Sequence, residues 1–453
     1  MHGPMMRVIL TLSGPVMLNN FIQTLYNLAD TYFVSLLGTL EVAAVSFIWP
    51  VIFLMMAFGI GLNVAGTSLI SQHIGSGDQE TARKTAGALL SFSLLLSVVL
   101  GFLGYLVSPL ILRAMGAGEL YDHAYTFLSI LFIGMPTMYV MFAYNAIKTG
   151  LGDTMRPMII GGLSVVSNII LDPLFMFTLG MGLKGAAYAT VLARGVFGIY
   201  AISTLFAPGQ SFRLRLDDLK LRKDMLTDLI RIGAPASIGQ STSSVGFIVM
   251  NAFIKSFGVT TLAAFAIGNR ISSLVMMPAM GVGAALATIV GQNLGAGNPD
   301  RAKQAVRFSS ILTTAIFVLG GAVIMYFAKQ VVGVFTVDPE VLAQGAYYLV
   351  LITASLPVFG IFQILVGTFQ GSGHTTSAMI MQFGRLWGLR IPMILILKQF
   401  SHLGSNAVWY AMVMSNVIIT LIGYGIYRTG KWQEKTIREE EQPAMETSSS
   451  KAD

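Results

Sequence analysis

The chain is poor in charged residues and contains no cysteine. Only 11% of its 453 residues are charged, whereas 54% are hydrophobic. Soluble domains are about 25% charged, so this composition indicates a membrane protein. The absence of cysteine excludes a disulfide framework and thiol chemistry. The five histidines are scattered, with no pair at the spacing of metal ligands, so no metal centre built on histidine is expected.

Long apolar runs predict an all-α integral membrane protein with twelve transmembrane helices. A spanning helix needs roughly 20 mostly apolar residues, and twelve such runs follow one another along the chain. Six fall in each half of the sequence. In the first half they cover residues 9–37, 44–71, 87–112, 123–147, 158–178 and 185–206. In the second half they cover residues 229–256, 262–291, 308–328, 345–369, 378–397 and 406–427.

The positive charges between these runs predict the orientation. With a cytoplasmic N-terminus, 19 Lys and Arg residues fall in cytoplasmic segments and 5 in outer segments. Cytoplasmic loops of membrane proteins carry such an excess, so both termini are expected in the cytoplasm and the protein in the plasma membrane. The net charge of +7 is therefore interpreted as a topology signal, and no nucleic-acid partner is expected.

The two halves of the sequence are repeats of each other. Three residues near the end of the second run recur near the end of the eighth, and Gly-x-Gly pairs recur later in each half. The matched pairs are Gly61 and Gly281, Gln72 and Gln292, Gly75 and Gly295, Gly150 and Gly371, and Gly152 and Gly373. Matches in register over about 200 residues indicate duplication. Because each half has an even number of spans, the two six-helix lobes should be related by a pseudo-two-fold axis along the membrane normal.

The repeat and the polar segments predict four regions. The N-lobe covers residues 1–206 and the C-lobe residues 229–430. Between them, residues 207–228 form a basic amphipathic linker that is expected to lie on the cytoplasmic lipid surface. Residues 431–453 are polar and are expected to form a disordered cytoplasmic tail.

Two acidic residues, Asp30 and Asp172, lie inside the predicted spans. Carboxylates at membrane depth are rare and usually mark an ion pathway or a proton relay. Three further polar residues, Asn20, Gln23 and Asn27, precede Asp30 at intervals of three and four. This spacing places them on one stripe of a helix, where substrate contact and hydrogen bonding between helices are both consistent with the pattern.

The surroundings of the two acids predict a small-cation site. Asn168 lies one turn before Asp172, and Thr190 adds a hydroxyl from the next span. Two close carboxylates in a low dielectric cannot both ionise cheaply, so one is expected to hold a proton. The four groups Asp30, Asn168, Asp172 and Thr190 also offer oxygen ligands to Na⁺, and the residues do not decide between the two ions. A structural ion pair with Arg194 is the alternative.

The remaining site predictions concern Pro15 and the second half of the sequence. Pro15 lies in the same span as Asp30 and is expected to act as a hinge, because proline removes a backbone donor. The second half has Met250 at the position of Asp30 and Arg390 near that of Asp172, but Gln240 remains on a neutral polar stripe. Ion coupling is therefore expected in the first half, and shape or substrate contact in the second.

Several motifs resemble the MATE (multidrug and toxic compound extrusion) transporters over about residues 5–430. They are Gly14-Pro15, Tyr26-Asn27-Leu28-Ala29-Asp30-Thr31, Gln72…Gly75-x-Gly77, Asn168-Ile-Ile-Leu-Asp172-Pro173 and Gly180-Met-Gly-Leu-Lys-Gly185. The resemblance implies two six-helix lobes around a central cavity, alternating access, and export of organic cations driven by H⁺ or Na⁺. It also implies that Asp30, Asn168, Asp172 and Thr190 form the cation site. The absence of acidic residues from the second lobe's spans points to the DinF-like branch.

Three other functions are weighed against a secondary antiporter. A lipid-linked sugar flippase of the wider superfamily is the main alternative, although such proteins often have fourteen spans and a strongly cationic cavity. A membrane enzyme would need a nucleophile and base or a metal set at membrane depth, and no His or Cys accompanies the two acids. A channel is a further alternative. A monomer in contact with membrane lipids is expected, with no cofactor beyond the coupling ion and with small organic cations as substrates.

Overall fold

The computed structural model describes residues 3–210, 212–400 and 403–437, and every regular element in these ranges is helical. The α-helices are α1 (Met5–Ser35), α2 (Thr39–Ser76), α3 (Gln79–Ala114), α4 (Tyr121–Ile133), α5 (Met135–Gly150), α6 (Met155–Pro173), α7 (Leu183–Phe206), α8 (Lys223–Lys255), α9 (Val259–Gly295), α10 (Pro299–Tyr326), α11 (Ala328–Gly333), α12 (Pro339–Gly371), α13 (Thr375–Phe383), α14 (Ile391–Phe400) and α15 (Asn406–Arg428). Helices α1–α7 form the N-lobe and α8–α15 the C-lobe. The predicted all-α membrane fold is confirmed.

The described helices include counterparts of all twelve predicted spans, although one of them is less apolar than the others. Within the described ranges, ten helices are long and apolar enough to cross a membrane, and α4 with α5 makes an eleventh, bent by 49°. The remaining predicted span, residues 229–256, lies in the 33-residue helix α8. This helix is less apolar because its middle, residues 239–244, consists of glycine, glutamine, serine and threonine. The polar side chains of residues 240–244 are half-buried. The helix α8 packs against α2 and α13.

Both lobes have a short π-helix at corresponding places. In the N-lobe, residues Leu174–Thr178 form one directly after α6. In the C-lobe, Gly384–Arg390 form the other, between α13 and α14. A π-helix has i→i+5 hydrogen bonds, and single π turns inside helices frequently occur at functional sites. The N-lobe segment begins two residues after the predicted site residue Asp172, and the C-lobe segment ends at Arg390.

The linker packs on the N-lobe through a buried ion pair. Arg83 of α3 lies 2.8 Å from Asp218, whose side chain is 4% exposed. Ser91, also on α3, donates a hydrogen bond of 2.8 Å to the carbonyl of Leu219. The middle of the predicted linker is thus held on α3 by polar contacts, whereas the prediction placed it on the lipid surface.

The beginning of the predicted disordered tail is folded. Residues Lys431–Gln433 form a 3₁₀ turn, and the side chain of Trp432 is 1% exposed and stacks on Tyr427 with ring centroids 5.0 Å apart. Thr436 donates its backbone N–H to Gln72 Oε1 at 3.1 Å and its hydroxyl to the carbonyl of Ser372 at 2.6 Å. The prediction of disorder was therefore wrong for residues 431–437, and residues 438–453 lie outside the described ranges.

A reciprocal pair of hydrogen bonds joins the lobes at the end that carries the linker. Gln72 of α2 donates to the carbonyl of Gly371 at 3.3 Å, and Gln292 of α9 donates to the carbonyl of Gly150 at 2.9 Å. These are two of the repeated residue pairs, so each lobe contributes the same donor and the same acceptor. We call this arrangement the glutamine latch.

Glycines let the backbones of α2 and α9 meet beside the glutamine latch. A Cβ atom on Gly75 would overlap the carbonyl of Gln292, and one on Gly295 would overlap the carbonyl of Gln72. Only glycine allows two helix backbones to approach so closely. The repeated Gln-x-x-Gly spacing therefore forms a close contact between the lobes rather than an isolated helix end.

Candidate functional site

The N-lobe holds a buried polar cluster where α6 and α7 face each other. Asn168 Nδ2 donates to Asp172 Oδ1 at 3.2 Å and contacts Thr190 Oγ1 at 3.4 Å. Asp172 is 0%, Asn168 3% and Thr190 6% exposed. The one-turn spacing on α6 aligns Asn168 with Asp172, as predicted, while α7 brings Thr190 against them. Three of the four predicted cation-site residues thus lie together.

Two oxygen atoms in this cluster have no hydrogen-bond partner. Asp172 Oδ2 and Asn168 Oδ1 are both buried and unpartnered. A buried carboxylate oxygen without a donor is costly, because it loses its hydration and gains nothing in exchange. A proton on Asp172 or a small cation beside it would each remove this cost. The donor set of carboxylate, amide and hydroxyl oxygens fits a hard monovalent cation.

Asp30 lies near this cluster on the facing side of α1. It is half-buried, and its charge interacts with those of Asp172 and Arg194. Tyr26, one turn earlier, bridges α1 to the cluster, because its hydroxyl lies 3.2 Å from Thr190 Oγ1. No nitrogen of Arg194 lies within 4 Å of a carboxylate among the described residues, so the predicted alternative of a tight ion pair is absent from this arrangement.

The polar stripe of α1 divides between two environments. Asn20 faces a cavity between the lobes, whereas Gln23 and Asn27 are exposed. Gln240 is half-buried on α8, in the other lobe. Pro15 is buried in the wall of the same cavity as Asn20, within the continuous helix α1. The structure therefore groups Asn20 with Pro15 and separates the rest of the predicted stripe from them.

The cavity has a volume of about 210 Å³ and a neutral polar wall. We call it the amide chamber. Its walls come from both lobes and include five carboxamides and three hydroxyls, with no charged side chain among the described residues. These polar residues are Asn19, Asn20, Asn63, Asn145, Gln370, Thr67, Thr149 and Thr154. Thr149 and Gln370 directly precede Gly150 and Gly371, so the chamber lies immediately beside the glutamine latch.

The polar groups of the amide chamber are only partly used within the protein. Asn63 donates to the carbonyl of Phe142 at 3.0 Å, and Thr149 donates to Asn145 at 2.8 Å. Thr67 Oγ1 is buried without a partner. A wall with spare donors and acceptors and no net charge is suited to binding neutral polar groups of a small molecule.

Sequence reasoning found one carboxamide of this chamber and missed the other four. Asn20 was noticed because it shares a stripe with Asp30. By contrast Asn63, Asn145 and Gln370 are isolated amides on separate helices, and only the packing of the helices brings them together. Isolated amides within apolar runs are themselves a signal, since unpaired polar groups at membrane depth are costly. Tyr26 was also missed, although it precedes Asn27 directly.

The polar residues of the C-lobe are basic where those of the N-lobe are acidic. Arg385 and Arg390 lie in the π-helix Gly384–Arg390, and Arg390 is 3% exposed. Neither has a carboxylate within 4 Å among the described residues. The repeat places Arg390 near the position of Asp172, and the structure shows that its side chain is buried.

Comparisons with known proteins agree with the repeat and the fold. A sequence model of the MatE family matches residues 15–174 and 235–396, one segment in each lobe. The probable multidrug resistance protein YoeA of Bacillus subtilis is 31% identical over 439 residues, which cover 93% of each chain. An FAD transporter of Shewanella oneidensis is 25% identical over 433 residues, with 94% of each chain covered.

A solved structure supports the same relationship. It is described as the outward-facing conformation of a multidrug resistance MATE family transporter of the MOP superfamily. This chain superposes on it with a TM-score of 0.89 and 29% sequence identity, over 95% of this chain and 97% of the other.

Proposed function

The chain belongs to the MatE family of transporters, and from this premise we propose that it is an antiporter that exports small organic molecules in exchange for H⁺ or Na⁺. It is a membrane transporter, not an enzyme. The relatives named above include a multidrug resistance protein and an FAD transporter, so their names point to different substrates. We take organic cations as the main substrates, as the family resemblance implies.

The observation that carries the proposal is the unpartnered oxygen of the buried Asp172. Its Oδ2 atom and Oδ1 of Asn168 are both unpartnered, while Asn168 Nδ2 contacts Asp172 Oδ1 and Thr190 Oγ1. A carboxyl group kept without compensation at membrane depth is expected to bind an ion or a proton during its working cycle. Asp30 is near enough for its charge to affect that binding.

We infer that ion binding in the N-lobe is transmitted to the substrate cavity through α1. Asp30 and Tyr26 on this helix interact with the cluster, and Pro15 on the same helix lines the amide chamber. The missing N–H at Pro15 weakens α1 at the turn that lines the chamber, so the helix can bend there. Protonation or Na⁺ binding would draw Asp30 toward Asp172 and bend α1. The bend would reduce the volume of the amide chamber and so release the substrate.

Alternating access requires the glutamine latch to open and close. In the present arrangement the latch joins the lobes at the linker end. The positive-inside rule places this end in the cytoplasm, together with both termini. The arrangement is therefore closed toward the cytoplasm in this proposal, which fits the similarity to an outward-facing transporter. Uptake of substrate from the cytoplasm would require the separation of Gln72 from Gly371 and of Gln292 from Gly150.

Transport in inverted vesicles tests the proposal. Uptake of a fluorescent organic cation is measured with an imposed pH gradient and then with a Na⁺ gradient. We expect wild type to follow one gradient, which identifies the ion, and Asp30→Asn to lose that dependence. The matched control is Asp217→Asn, because Asp217 is 85% exposed in the linker and its one ion pair among the described residues is with Lys220. Transport by Asp30→Asn at the wild-type rate would contradict the proposed coupling.

The remaining predictions are part of the same proposal. We propose a monomer in the plasma membrane, surrounded by lipid. The DinF-like branch remains a prediction from the absence of acidic residues in the C-lobe spans. The lipid-linked sugar flippase is not favoured, because the relatives reported above are a multidrug resistance protein and an FAD transporter.

A further inference from the structure

The C-lobe contains two arginines that lie close together without a counterion. Arg390 is 3% exposed, Arg385 is half-buried, and their charges repel each other. Neither has a carboxylate within 4 Å among the described residues. Buried cations are normally paired or hydrogen-bonded to several acceptors. Two neighbouring cations without an anion are therefore an unusual arrangement that needs an explanation.

The π-helix accounts for the proximity of the two arginines. Residues five apart are about 140° apart around an α-helix, so Arg385 and Arg390 would point in different directions. The i→i+5 hydrogen bonding of the segment Gly384–Arg390 instead brings residues five apart toward the same side of the helix. Trp387 in the same segment donates to the carbonyl of Thr242 on α8 at 3.1 Å, which fixes the segment against the lobe.

Arg390 is held in place by two neutral groups. Its Nε donates to Ser415 Oγ at 3.0 Å, and one terminal nitrogen donates to Asn416 Oδ1 at 2.8 Å. The Ser415 hydroxyl in turn donates to the carbonyl of Met412 at 2.9 Å, so its oxygen is oriented to accept. These contacts position the guanidinium of Arg390 but do not neutralise its charge.

Two aromatic rings cover Arg385, and its N–H donors have no hydrogen-bond partner among the described residues. Its guanidinium lies 5.4 Å from the ring centre of Phe359 and 4.9 Å from that of Phe362. Its Nε is buried without a hydrogen-bond partner. Stacking on aromatic rings occupies the face of a guanidinium and leaves its N–H edge for an acceptor. That edge matches a carboxylate or phosphate, which binds through two parallel hydrogen bonds.

We propose that Arg385 and Arg390 form a binding site for the anionic group, carboxylate or phosphate, of an amphiphile. Arg385 supplies the hydrogen-bond donors, and the neighbouring Arg390 adds a second positive charge. The phenylalanine rings offer an apolar surface to the rest of the molecule. The link to export rests on the proposed function, because the site would add acidic and zwitterionic amphiphiles to the organic cations proposed as substrates.

Equilibrium binding to purified protein in neutral detergent tests the site without any ion gradient. Tryptophan fluorescence is followed during titration with decyl phosphate, since Trp387 belongs to the same π-helix as the two arginines. Decyltrimethylammonium, with the same chain and the opposite charge, serves as the reference probe. We expect saturable binding of decyl phosphate, weakened about 10- to 100-fold in Arg385→Gln because a charged hydrogen-bond partner is lost. Arg385→Lys should retain part of the affinity.

Lys398→Gln is the matched control. Lys398 lies 4.8 Å from the ring centre of Phe257 in the same lobe, but it is exposed on α14. Its removal should leave the Kd for decyl phosphate unchanged. The proposal would be overturned if wild type and Arg385→Gln bound decyl phosphate with equal Kd. The thermal unfolding midpoints of the two proteins would show that both are folded. Equal binding of decyl phosphate and decyltrimethylammonium to wild type would also overturn the proposal.

A competition arm identifies the source of the anion. The titration is repeated in nanodiscs of phosphatidylcholine and in nanodiscs that also contain phosphatidylglycerol. Loss of decyl phosphate binding in the second lipid supports the site and assigns it to a lipid headgroup. Equal binding in both supports the site and assigns it to a free anionic amphiphile. Because no transport is measured, failure of the vesicle assay would leave this result unaffected.

Discussion

The N-lobe and the C-lobe share a helical plan and differ in the charge of their interiors. Both have a π-helix at the corresponding helix, and both contribute one glutamine and one glycine carbonyl to the glutamine latch. The N-lobe, however, buries Asp172 beside neutral oxygens, whereas the C-lobe buries Arg390 beside Ser415 and Asn416. The duplicated framework therefore carries opposite charges in its two halves.

The contrast shows which contacts a duplication preserves. The latch needs both copies at once, because each glutamine reaches the glycine carbonyl of the other lobe. A change in one copy would break a shared contact. Within the described residues, the hydrogen bonds of Asp172 and Arg390 stay in their own lobe, so each set could change alone. Four predictions examine this contrast, and they are ordered by expected size.

The largest effect is expected from Asp172→Asn. Asp172 is fully buried and has an unpartnered oxygen, whereas Asp30 is half-buried. Gradient-driven export should fall about 5- to 150-fold, the usual range of coupling between two sites, and by more than in Asp30→Asn. The measurement is the initial rate of uptake into inverted vesicles, with Asp217→Asn as the control. A smaller loss in Asp172→Asn than in Asp30→Asn would make Asp30 the principal coupling residue.

Gly75→Ala and Gly295→Ala should affect the latch equally. Each added Cβ would overlap a glutamine carbonyl of the other lobe, and overpacking of this kind costs about 1–3 kcal/mol. Both changes should therefore favour separation of the lobes at the linker end. The natural chain has no cysteine, so a single Val64→Cys in the amide chamber can report on this opening.

The measurement is the rate at which a membrane-impermeant thiol reagent labels Val64→Cys from the linker end. We expect faster labelling in both glycine variants, by similar factors. Gly425→Ala is the control, because a Cβ at Gly425 has no atom within 4 Å. Faster labelling in only one of the two variants would contradict the reciprocal arrangement.

Asn416→Ala should destabilise the C-lobe by a moderate amount. The change removes the acceptor of one Arg390 nitrogen, and an unsatisfied buried donor costs about 1–3 kcal/mol. The thermal unfolding midpoint in detergent measures the loss. Asn251→Ala, at an exposed position of α8, should leave the midpoint unchanged. An equal midpoint for wild type and Asn416→Ala would show that Arg390 finds another acceptor.

The smallest effect is expected at His374, which follows the repeated glycine pair of the C-lobe. Burial lowers the pKa of His374, against the opposing effects of the Ser372 carbonyl and Glu434, while Arg231 lowers it further. The unfolded chain therefore binds a proton more readily than the folded protein. Stability from the neutral form is present above the unfolded pKa of about 6.5 and is lost as the pH falls below it.

His374→Gln should accordingly lose less stability than wild type when the pH is lowered from 8 to 5. The unfolding midpoints of the two proteins are compared across this range, and the pair at pH 8 provides the reference. Parallel curves would show that protonation of His374 does not contribute. In the N-lobe the same repeat position is Asp153, which pairs on the surface with Arg156 at 3.4 Å.

Much of the fold could be predicted because the bilayer restricts the choices. A run of apolar residues long enough to span must be helical, since lipid satisfies no backbone group. The helix spacing of Asn168 and Asp172 likewise follows from local geometry. The span in α8 was predicted by length and register within the repeat, although its Ser- and Thr-rich middle is less apolar than the other spans.

The linker and the tail could not be predicted in the same way. Both are polar, and polar composition alone does not distinguish a free segment from one that packs on a lobe. Asp218 is fixed by Arg83, more than 130 positions earlier in the chain, and Thr436 by Gln72 and Ser372. Such contacts join residues that are distant in sequence, so local composition and periodicity cannot predict them.

The sequence by itself determined the membrane helices, the duplication and the position of Asp30, Asn168 and Asp172, because each depends on apolar length, spacing or repetition along the chain. Only the tertiary structure decided which polar groups meet. It placed Tyr26 against Thr190, gathered amides from several helices into one chamber and arranged the glutamine latch between the lobes. It also brought Arg385 and Arg390 together, since the π-helix that aligns them depends on how α13 and α14 pack in the lobe.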